Sequence, residues 1–270
     1  MRDQGKFKVR PKKSLGQHFL HDLQVAQRIV SSLKQTENHL VLEIGPGMGV
    51  LTEYLRKIPN IYLKLIEIDR DSIAYLHQHY PAMGASIIEG DFLEFNIDDI
   101  FSGNFSIIGN FPYNISSQIF FKVLANRDRV DQVVCMLQKE VADRIAAPHG
   151  SKTYGILSVL LQAYYDIDNL FKVPADVFRP PPKVMSAVIR LQRNARVKLA
   201  CDEIMFVQVV KQAFNTRRKT LRNALKNLNL PAEISALEIM DKRAEQLSVD
   251  QFVELTLLIE RSRGATSGGI

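Results

Sequence analysis

The chain has 270 residues, of which 46% are hydrophobic and 24% charged, as is typical of a globular protein. No apolar run approaches the roughly 18 residues that a membrane span needs. No apolar segment follows the basic N-terminus either, so neither a membrane span nor a secretory signal is predicted. Cys135 and Cys201 lie in separate apolar stretches and are interpreted as buried, reduced thiols, which fits a cytoplasmic location.

Strands and helices are predicted to alternate through most of the chain. This repetition indicates an α/β fold with a Rossmann-like, doubly wound and mostly parallel sheet. After about residue 193 only helical spacing continues, which predicts a small all-helical domain at about 195–262 and a loose tail. The predicted domains are therefore 1–193, with a basic flexible arm at 1–13, and 194–270. In chain order the predicted strands are 40–45, 63–69, 85–91, 105–110, 132–138, 167–173 and 185–192, and the predicted helices are 48–58, 70–80, 116–126, 201–214, 220–228 and 247–262.

Positive charge is concentrated in two segments of a chain whose net charge is +6. Residues 1–13 carry six Lys or Arg against one acidic residue, and residues 211–226 carry six against none. A polyanion-binding protein requires such clusters, although a solvated helix face and a disordered basic start would give the same pattern.

The first predicted strand ends in a glycine-rich turn with Glu43, Gly45, Gly47 and Gly49. Glycines at a strand-to-helix turn allow positive φ and let a ligand approach the backbone closely. Val50 stands where the dinucleotide fingerprint requires Gly or Ala. A nicotinamide oxidoreductase is therefore disfavoured.

Carboxylates follow the next two predicted strands. Glu67 and Asp69 end the second strand, where a carboxylate can accept hydrogen bonds from ribose hydroxyls. Asp91 and Phe92 end the third, and combine a carboxylate with an apolar face suited to an adenine ring. Each acidic residue alone could be a helix N-cap or a solvated loop charge. At successive carboxyl ends they instead surround the crevice where open α/β sheets bind ligands.

The fourth predicted strand ends in Asn110, Phe111, Pro112 and Tyr113. The Asn carbonyl can accept an amino hydrogen, Pro112 fixes the chain direction, and Tyr113 offers a flat face on which a base can stack. A rigid turn would use the same residue types. The position after a cofactor crevice favours a cradle for a planar base with an amino group.

These motifs together resemble those of class I S-adenosylmethionine-dependent methyltransferases, and Asn-x-Pro-Tyr resembles the form that methylates an amino nitrogen. The segments "SLGQHFL" (14–20), "FRPPPKVMSAV" (178–188) and "AFNTRRKTLRN" (213–223) narrow the resemblance to the small-subunit rRNA adenine N6,N6-dimethyltransferase family (KsgA type), over about 11–226. The resemblance implies S-adenosyl-L-methionine as cofactor and dimethylation of two adjacent adenosines in the 3′-terminal hairpin loop of 16S rRNA. It also implies action on the immature 30S particle, and an association between loss of the modification and kasugamycin resistance.

The resemblance also implies roles for individual residues. Phe178 would stack on the target base opposite Tyr113, although it could instead be an apolar plug at the sheet edge. Gln17, His18 and Leu20 would close over the methionine end of the cofactor. No metal site is expected, because the histidines lack metal-ligand spacing. The predicted catalytic residues are Asn110, Pro112, Tyr113 and Phe178, and the predicted cofactor-binding residues are Gln17, His18, Leu20, Gly45, Gly47, Glu67, Asp91, Phe92 and Asn110.

The second basic segment is the predicted RNA-binding element. If 216–226 is one helix, its cations share an arc of about 100° beside the leucines that pack it. A basic stripe of this kind suits a phosphate backbone. We expect the small ribosomal subunit as partner and, without a coiled-coil or dimer stripe, a monomer. The predicted RNA-binding residues are Arg217, Arg218, Lys219, Arg222 and Lys226, and mobile phosphate contacts are expected from Lys6, Lys8, Arg10, Lys12 and Lys13.

Two alternatives stay open at this point. A large-subunit rRNA adenine dimethyltransferase of the macrolide-resistance type shares the Gly-x-Gly and Asn-x-Pro motifs, but the three prolines in 178–188 and the basic helical domain favour the small-subunit enzyme. A non-catalytic assembly factor could keep the same fold. Asn110, Glu67 and Asp91 argue against it, because binding alone would not need them.

Overall fold

The computed structural model describes residues 9–34 and 39–267. The chain divides into two compact units: the first runs to Ala142 and resumes at Ile167–Arg193, and the second comprises Asp143–Asp166 and the chain from Asn194 onward. The division after Arg193 coincides with the domain limit expected from the sequence. The segment Asp143–Asp166, assigned to the first domain from the sequence, instead groups with the helical part.

The first unit is built on a seven-stranded sheet in the order β4-β3-β2-β5-β6-β9-β7. Strands β2 and β3, β3 and β4, β2 and β5, and β5 and β6 pair in parallel, whereas β9 is antiparallel to β6. A short antiparallel pair, β1 with β8, stands apart. The strands are β1 (Phe19–Leu20), β2 (His39–Ile44), β3 (Ile61–Glu67), β4 (Ile87–Glu89), β5 (Phe105–Asn110), β6 (Val130–Gln138), β7 (Tyr165–Val173), β8 (Phe178–Arg179) and β9 (Ser186–Arg193).

This topology confirms the predicted α/β fold with a mostly parallel sheet. Strands β2, β5 and β6 are buried at nearly every position, as expected for parallel strands covered on both faces. All seven predicted strands are present, although the third shrinks to Ile87–Glu89.

The helices of the two units differ from the sequence prediction mainly in number and length. Helices α1, α5, α6 and α9 were not predicted. Helix α1 is capped by Asp22, whose carboxylate accepts the N–H groups of Gln24 and Val25. Helix α10 continues to Ser267, where a loose tail was expected from residue 264. The helices are α1 (Leu23–Ser31), α2 (Thr52–Leu55), α3 (Arg70–His79), α4 (Ser116–Ala125), α5 (Lys139–Ile145), α6 (Ile156–Gln162), α7 (Glu203–Asn215), α8 (Leu221–Ala224), α9 (Ala232–Ser235) and α10 (Val249–Ser267). No helix in residues 9–34 and 39–267 is both long and apolar enough to cross a membrane.

The helix predicted over 220–228 is present as α8 (Leu221–Ala224) followed by a 3₁₀ turn at Lys226–Leu228, but 216–226 is not one continuous helix. Helix α7 ends at Asn215, and Thr220 is extended, with φ −66° and ψ 159°, before α8 begins. Thr220 forms a β-bridge with Arg243, and the N–H of Leu221 donates to the Lys242 carbonyl. The bridge and the extended backbone stop the helix, so the basic residues do not form one helical stripe.

The second unit has its own aromatic core. The ring centroids of Tyr154 and Phe214 are 6.1 Å apart, and those of Phe214 and Phe252 are 6.0 Å apart. Tyr154 belongs to the segment Asp143–Asp166, which explains why that segment groups with the helices. In the sequence this segment mixes a polar run at 148–153 with an apolar run at 156–165, and neither marks a domain limit.

The sheet order places a topological switch at β2. The chain runs outward from β2 through β3 to β4, then returns to β5 on the other side of β2. Because β2, β3, β4 and β5 are parallel, their carboxyl ends meet at one edge of the sheet. Ligands of doubly wound sheets bind at such a point.

Both cysteines are buried free thiols, as interpreted from the sequence. Burial raises the pKa of Cys135 and of Cys201.

Candidate functional site

One cavity opens at the switch point and collects most of the residues singled out from the sequence. Its walls come from the segment before β1 and from the turns that follow β2, β3, β4 and β5. Ten of the predicted site residues line this cavity: Gln17, His18, Gly45, Gly47, Glu67, Asp91, Phe92, Asn110, Pro112 and Tyr113.

Leu20 and Phe178 do not line that cavity. They pair with each other across β1 and β8, and their side chains belong to the hydrophobic core, with Phe178 only 1% exposed. This position fits the apolar plug that was the alternative interpretation of Phe178. A role for its ring against a target base stays a prediction.

Each glycine of the turn after β2 has a positive φ, between 56° and 78°. At Gly45 a Cβ atom would meet no protein atom within 4 Å, so the backbone faces open space. At Gly47 it would lie 3.0 Å from the Phe19 ring, and at Gly49 it would lie 2.6 Å from the Tyr80 ring. Gly45 therefore leaves room for a ligand, whereas the other two glycines allow close packing of the protein itself.

Glu67 holds the glycine turn in place. One carboxylate oxygen accepts the N–H of Gly47 at 2.9 Å, and the other accepts those of Ile68 and Asp69, each at 2.9 Å. Burial raises the pKa of Glu67, against the effect of these hydrogen bonds. The carboxylate thus links the ends of β2 and β3.

Glu43 is a second buried carboxyl group, just before the turn. It is 1% exposed and accepts a hydrogen bond from the Thr52 hydroxyl at 2.6 Å, which ties β2 to α2. Burial raises the pKa of Glu43 to about 8, because the charged form loses its hydration.

The turn after β4 carries Asp91 and Phe92, and Lys122 of α4 braces it. The Lys122 ammonium lies 5.2 Å from the centre of the Phe92 ring and donates to the carbonyls of Leu93, at 2.9 Å, and Phe95. Burial lowers the pKa of Lys122, opposed by the charge of Asp91. The sequence interpretation missed Lys122; its signal is a single cation in the apolar stretch Ser116–Ala125.

Asn110 ends β5 with its side chain fixed. Its Nδ2 donates to the His18 carbonyl at 2.9 Å, so the amide oxygen is the group left to accept a hydrogen bond from a ligand. The Tyr113 hydroxyl and the Ser186 hydroxyl are 2.5 Å apart, and burial raises the pKa of Tyr113. The rings of His18 and Tyr113 are stacked, with centroids 5.4 Å apart. The site therefore combines an oriented acceptor with an anchored aromatic ring.

The predicted RNA-binding residues fall into two groups. Arg217 donates to the carbonyls of Lys152 and, at 2.9 Å, of Tyr154, and Arg222 forms an ion pair with Asp241 at 2.6 Å. These two arginines stabilise the second unit. All five residues are exposed, and the remaining three have no side-chain ion pair among the described contacts: Arg218, Lys219 and Lys226.

The basic arm expected at 1–13 is only partly within the described structure. Lys6 and Lys8 lie outside the described residues. Lys12, expected to make mobile phosphate contacts, instead forms ion pairs with Asp69 and with Asp71, the latter at 2.8 Å. Asp69 is buried, and its need for a counter-charge accounts for this placement.

Comparison with known proteins places this cavity in context. The model of the family described as ribosomal RNA adenine dimethylase matches residues 8–261. A ribosomal RNA small subunit methyltransferase A of Cytophaga hutchinsonii is 56% identical over 253 residues, covering 93% of this chain and 98% of that protein. A protein of the same name from Parabacteroides distasonis is 54% identical over 263 residues, covering 97% and 98%.

Solved structures share the fold. A dimethyladenosine transferase from Plasmodium falciparum has a TM-score of 0.77 at 24% identity, covering 91% of this chain and 98% of that one. The 23S rRNA methyltransferase ErmE has a TM-score of 0.66 at 22% identity, covering 88% and 99%.

Proposed function

The chain belongs to the ribosomal RNA adenine dimethylase family and is an rRNA adenine dimethyltransferase, and from this premise we propose that it places two methyl groups on N6 of each of two adjacent adenosines in the 3′-terminal hairpin loop of small-subunit rRNA. The choice of subunit rests on relatives that are named small-subunit enzymes and are more than half identical over nearly the whole chain. The chemistry rests on one observation above all: Asn110, oriented by the His18 carbonyl, lies beside an anchored Tyr113 at the switch point.

We assign S-adenosyl-L-methionine to the cavity as the methyl donor. The residues fit a nucleoside, since Gly45 faces open space and lines the same cavity as the carboxylate of Glu67 and the aromatic Phe92. Glu67 would bind ribose hydroxyls and Phe92 the adenine ring, while Gln17 and His18 would contact the methionine end. When bound, this cofactor supplies an electrophilic methyl group.

The protein's task is then to present the N6 amino group of the substrate. Its lone pair is delocalised into the ring, and the Asn110 amide oxygen can accept one amino hydrogen and so favour a pyramidal nitrogen. A backbone carbonyl would accept the second hydrogen. The bound cofactor would supply the methyl group to N6, and the proton that N6 loses would leave to solvent. Orientation and fixed dipoles carry the catalysis, without a strong base.

The base must leave its stack to reach Asn110. Tyr113 would receive it by stacking, a contact worth about 1–3 kcal/mol per base. Arg218, Lys219 and Lys226 would bind the phosphate backbone in a salt-dependent way. The partner would be an immature 30S particle in the cytoplasm, bound by a monomer.

The test is transfer of labelled methyl from S-adenosylmethionine to small subunits, large subunits and free rRNA that lack the modification, with the product mapped by nucleotide. Dimethyladenosine near the 3′ end of small-subunit rRNA is expected, and the label should be lost with Asn110→Ala. Labelling of large-subunit RNA alone would overturn the substrate. Tight binding to small subunits without transfer would indicate an assembly factor.

A further inference from the structure

The segment of residues 12–19, here called the strap, touches both halves of the cavity. On one side Lys12 bonds to Asp69, the residue that follows the Glu67 turn. On the other side Asn110 bonds to the backbone of His18. Most of the strap, residues 14–19, lines the cavity. A cofactor bound in that cavity would therefore lie next to the strap.

Lys12 attaches the strap on the side of the Glu67 turn. Its ammonium pairs with the Asp69 carboxylate, whose side chain is fully buried, and with the Asp71 carboxylate at 2.8 Å. The Lys12 backbone N–H donates to the Gln17 side-chain oxygen at 2.8 Å, and Gln17 Nε2 donates to Asp69 at 3.0 Å. The Ser72 hydroxyl donates to the same carboxylate at 3.1 Å. Lys12, Gln17 and Asp69 therefore form a closed ring of contacts.

The far side of the strap is fitted to the loop after β5. Gly16 has φ +62°, and a Cβ atom there would lie 2.5 Å from Asn114 Oδ1. The ring of His18 stacks on Tyr113, and its Nδ1 is 2.7 Å from the Pro180 carbonyl. Movement of the strap would therefore disturb both the cover of the cavity and the catalytic loop.

We propose that Lys12 is a positioning residue for the cofactor: its ion pair with Asp69 fixes the strap across the cavity and orients Gln17, so that it sets how tightly S-adenosylmethionine is held. The inference rests on the proposed function. The ion pair also raises the pKa of Lys12 and, against the opposing effect of burial, lowers that of Asp69, so both charges persist across neutral pH. Lys12 is thereby assigned to the cofactor side of the reaction rather than to RNA phosphates.

The chain supplies a matched control in the adjacent residue. Lys13 carries the same charge and is exposed, and the described contacts give it no ion pair. Lys12→Ala, Lys12→Arg and Lys13→Ala would be made in the full chain. Binding of S-adenosylhomocysteine without RNA would be measured by calorimetry, and deuterium exchange would be followed at the strap amides of Leu15, Gly16 and Gln17, which donate to carbonyls within the strap.

Lys12→Ala should weaken S-adenosylhomocysteine binding roughly five-fold, the effect of losing an ion pair whose lysine is partly exposed. It should speed exchange at the strap amides, raise KM for S-adenosylmethionine and leave kcat nearly unchanged at saturation. Lys12→Arg should restore binding, and Lys13→Ala should bind as the wild type does.

Three results would overturn the proposal. Wild-type binding by Lys12→Ala, or equal losses in Lys12→Ala and Lys13→Ala, would remove the positioning role while leaving the proposed function intact. A wild-type protein that does not bind S-adenosylhomocysteine would overturn the cofactor assignment together with this role.

Discussion

The cavity at the switch point and the basic segment 216–226 both contain predicted functional residues, but the side chains of the two regions have different surroundings in the structure. In the cavity Glu67 and Asn110 follow regular strands, and backbone groups hold their side chains. In the basic segment the helix is interrupted at Thr220, and Arg222 is paired with an acid of its own unit.

This difference shows that the position of a side chain can be predicted from the sequence where the backbone is regular. A residue at the end of a parallel strand has one place in a doubly wound fold, so its sequence position fixes its neighbours. A charged surface residue has no such constraint. A single extended residue such as Thr220 interrupts the helix, so the basic residues on either side of it no longer share one helix face.

Replacement of Asn110 by Ala should have the largest effect. It removes the acceptor proposed for the N6 amino hydrogen as well as the contact with the His18 carbonyl. Loss of one preorganised group of this kind lowers kcat by about 100-fold or more. Single-turnover methyl transfer at saturating cofactor measures this change.

Asn104 is the matched control, because it is exposed just before the other end of β5 and its amide bonds only to the Asp131 carboxylate among the described residues. Asn104→Ala should transfer methyl groups at the wild-type rate. Comparable losses in Asn104→Ala and Asn110→Ala would contradict a chemical role for Asn110.

Alanine substitutions at two glycines of the same turn should have different effects on stability and on cofactor binding. Gly49→Ala puts a Cβ atom 2.6 Å from the Tyr80 ring at a φ of +78°, so it should destabilise the fold by about 2 kcal/mol or more. Gly45→Ala has the strain of positive φ, about 1–2 kcal/mol, without a clash. Its methyl group enters open space in the cavity, and it should lose cofactor affinity as well.

Urea unfolding and S-adenosylhomocysteine titration of both variants separate these effects. A Gly45→Ala protein that binds the cofactor product as the wild type does would mean that the ligand does not approach this turn.

Glu43 should make stability depend on pH. Its folded pKa of about 8 exceeds its ordinary value of 4.5, so the folded state binds the extra proton between these values. Stability therefore falls as pH rises through that window, by at most about 1.4 kcal/mol per pH unit. Glu43→Gln stays neutral and keeps an acceptor for Thr52, so its free energy of unfolding should be flatter from pH 5 to 8.

The comparison of wild type with Glu43→Gln isolates this group from Glu67, whose pKa burial also raises. Glu53→Gln is a control that should keep the slope between pH 5 and 8, because hydrogen bonds and ion pairs with Lys57 and Arg56 lower the pKa of the partly exposed Glu53 below its ordinary value of 4.5. The stability that Glu53 contributes is lost only as the pH falls below that value. Parallel pH curves for wild type and Glu43→Gln would show that Glu43 is charged in the folded protein.

The sequence was sufficient for the fold and for ten of the cavity residues because hydrophobic runs define strands and strand ends define the site. It could not place Phe178, whose ring packs into the core, because the burial of one aromatic depends on its tertiary neighbours. It missed Lys122 because a single lysine in an apolar helix does not reveal which carbonyls of another turn its side chain reaches. It also misjudged Lys12, since the buried Asp69 that attracts it lies 57 residues away in the chain.

The smallest effect is expected for the exposed cations of the basic segment, which should contribute to the salt dependence of RNA binding where other surface charges do not. For binding to small-subunit rRNA, log K falls as log salt rises, and Arg218→Ala should make this negative slope shallower by about one because one phosphate contact is lost. Lys198→Ala removes an equally exposed cation of the second unit outside the segment and should leave the slope unchanged. Arg222 is already paired with Asp241, so Arg222→Ala should reduce the free energy of unfolding and have little effect on the slope.

Equal slopes for wild type and Arg218→Ala would contradict phosphate binding by this segment. A larger change in Arg222→Ala than in Arg218→Ala would mean that RNA displaces Asp241 from its arginine. In that case the charge pattern read from the sequence would describe the bound state better than the ion pairs of the free protein do.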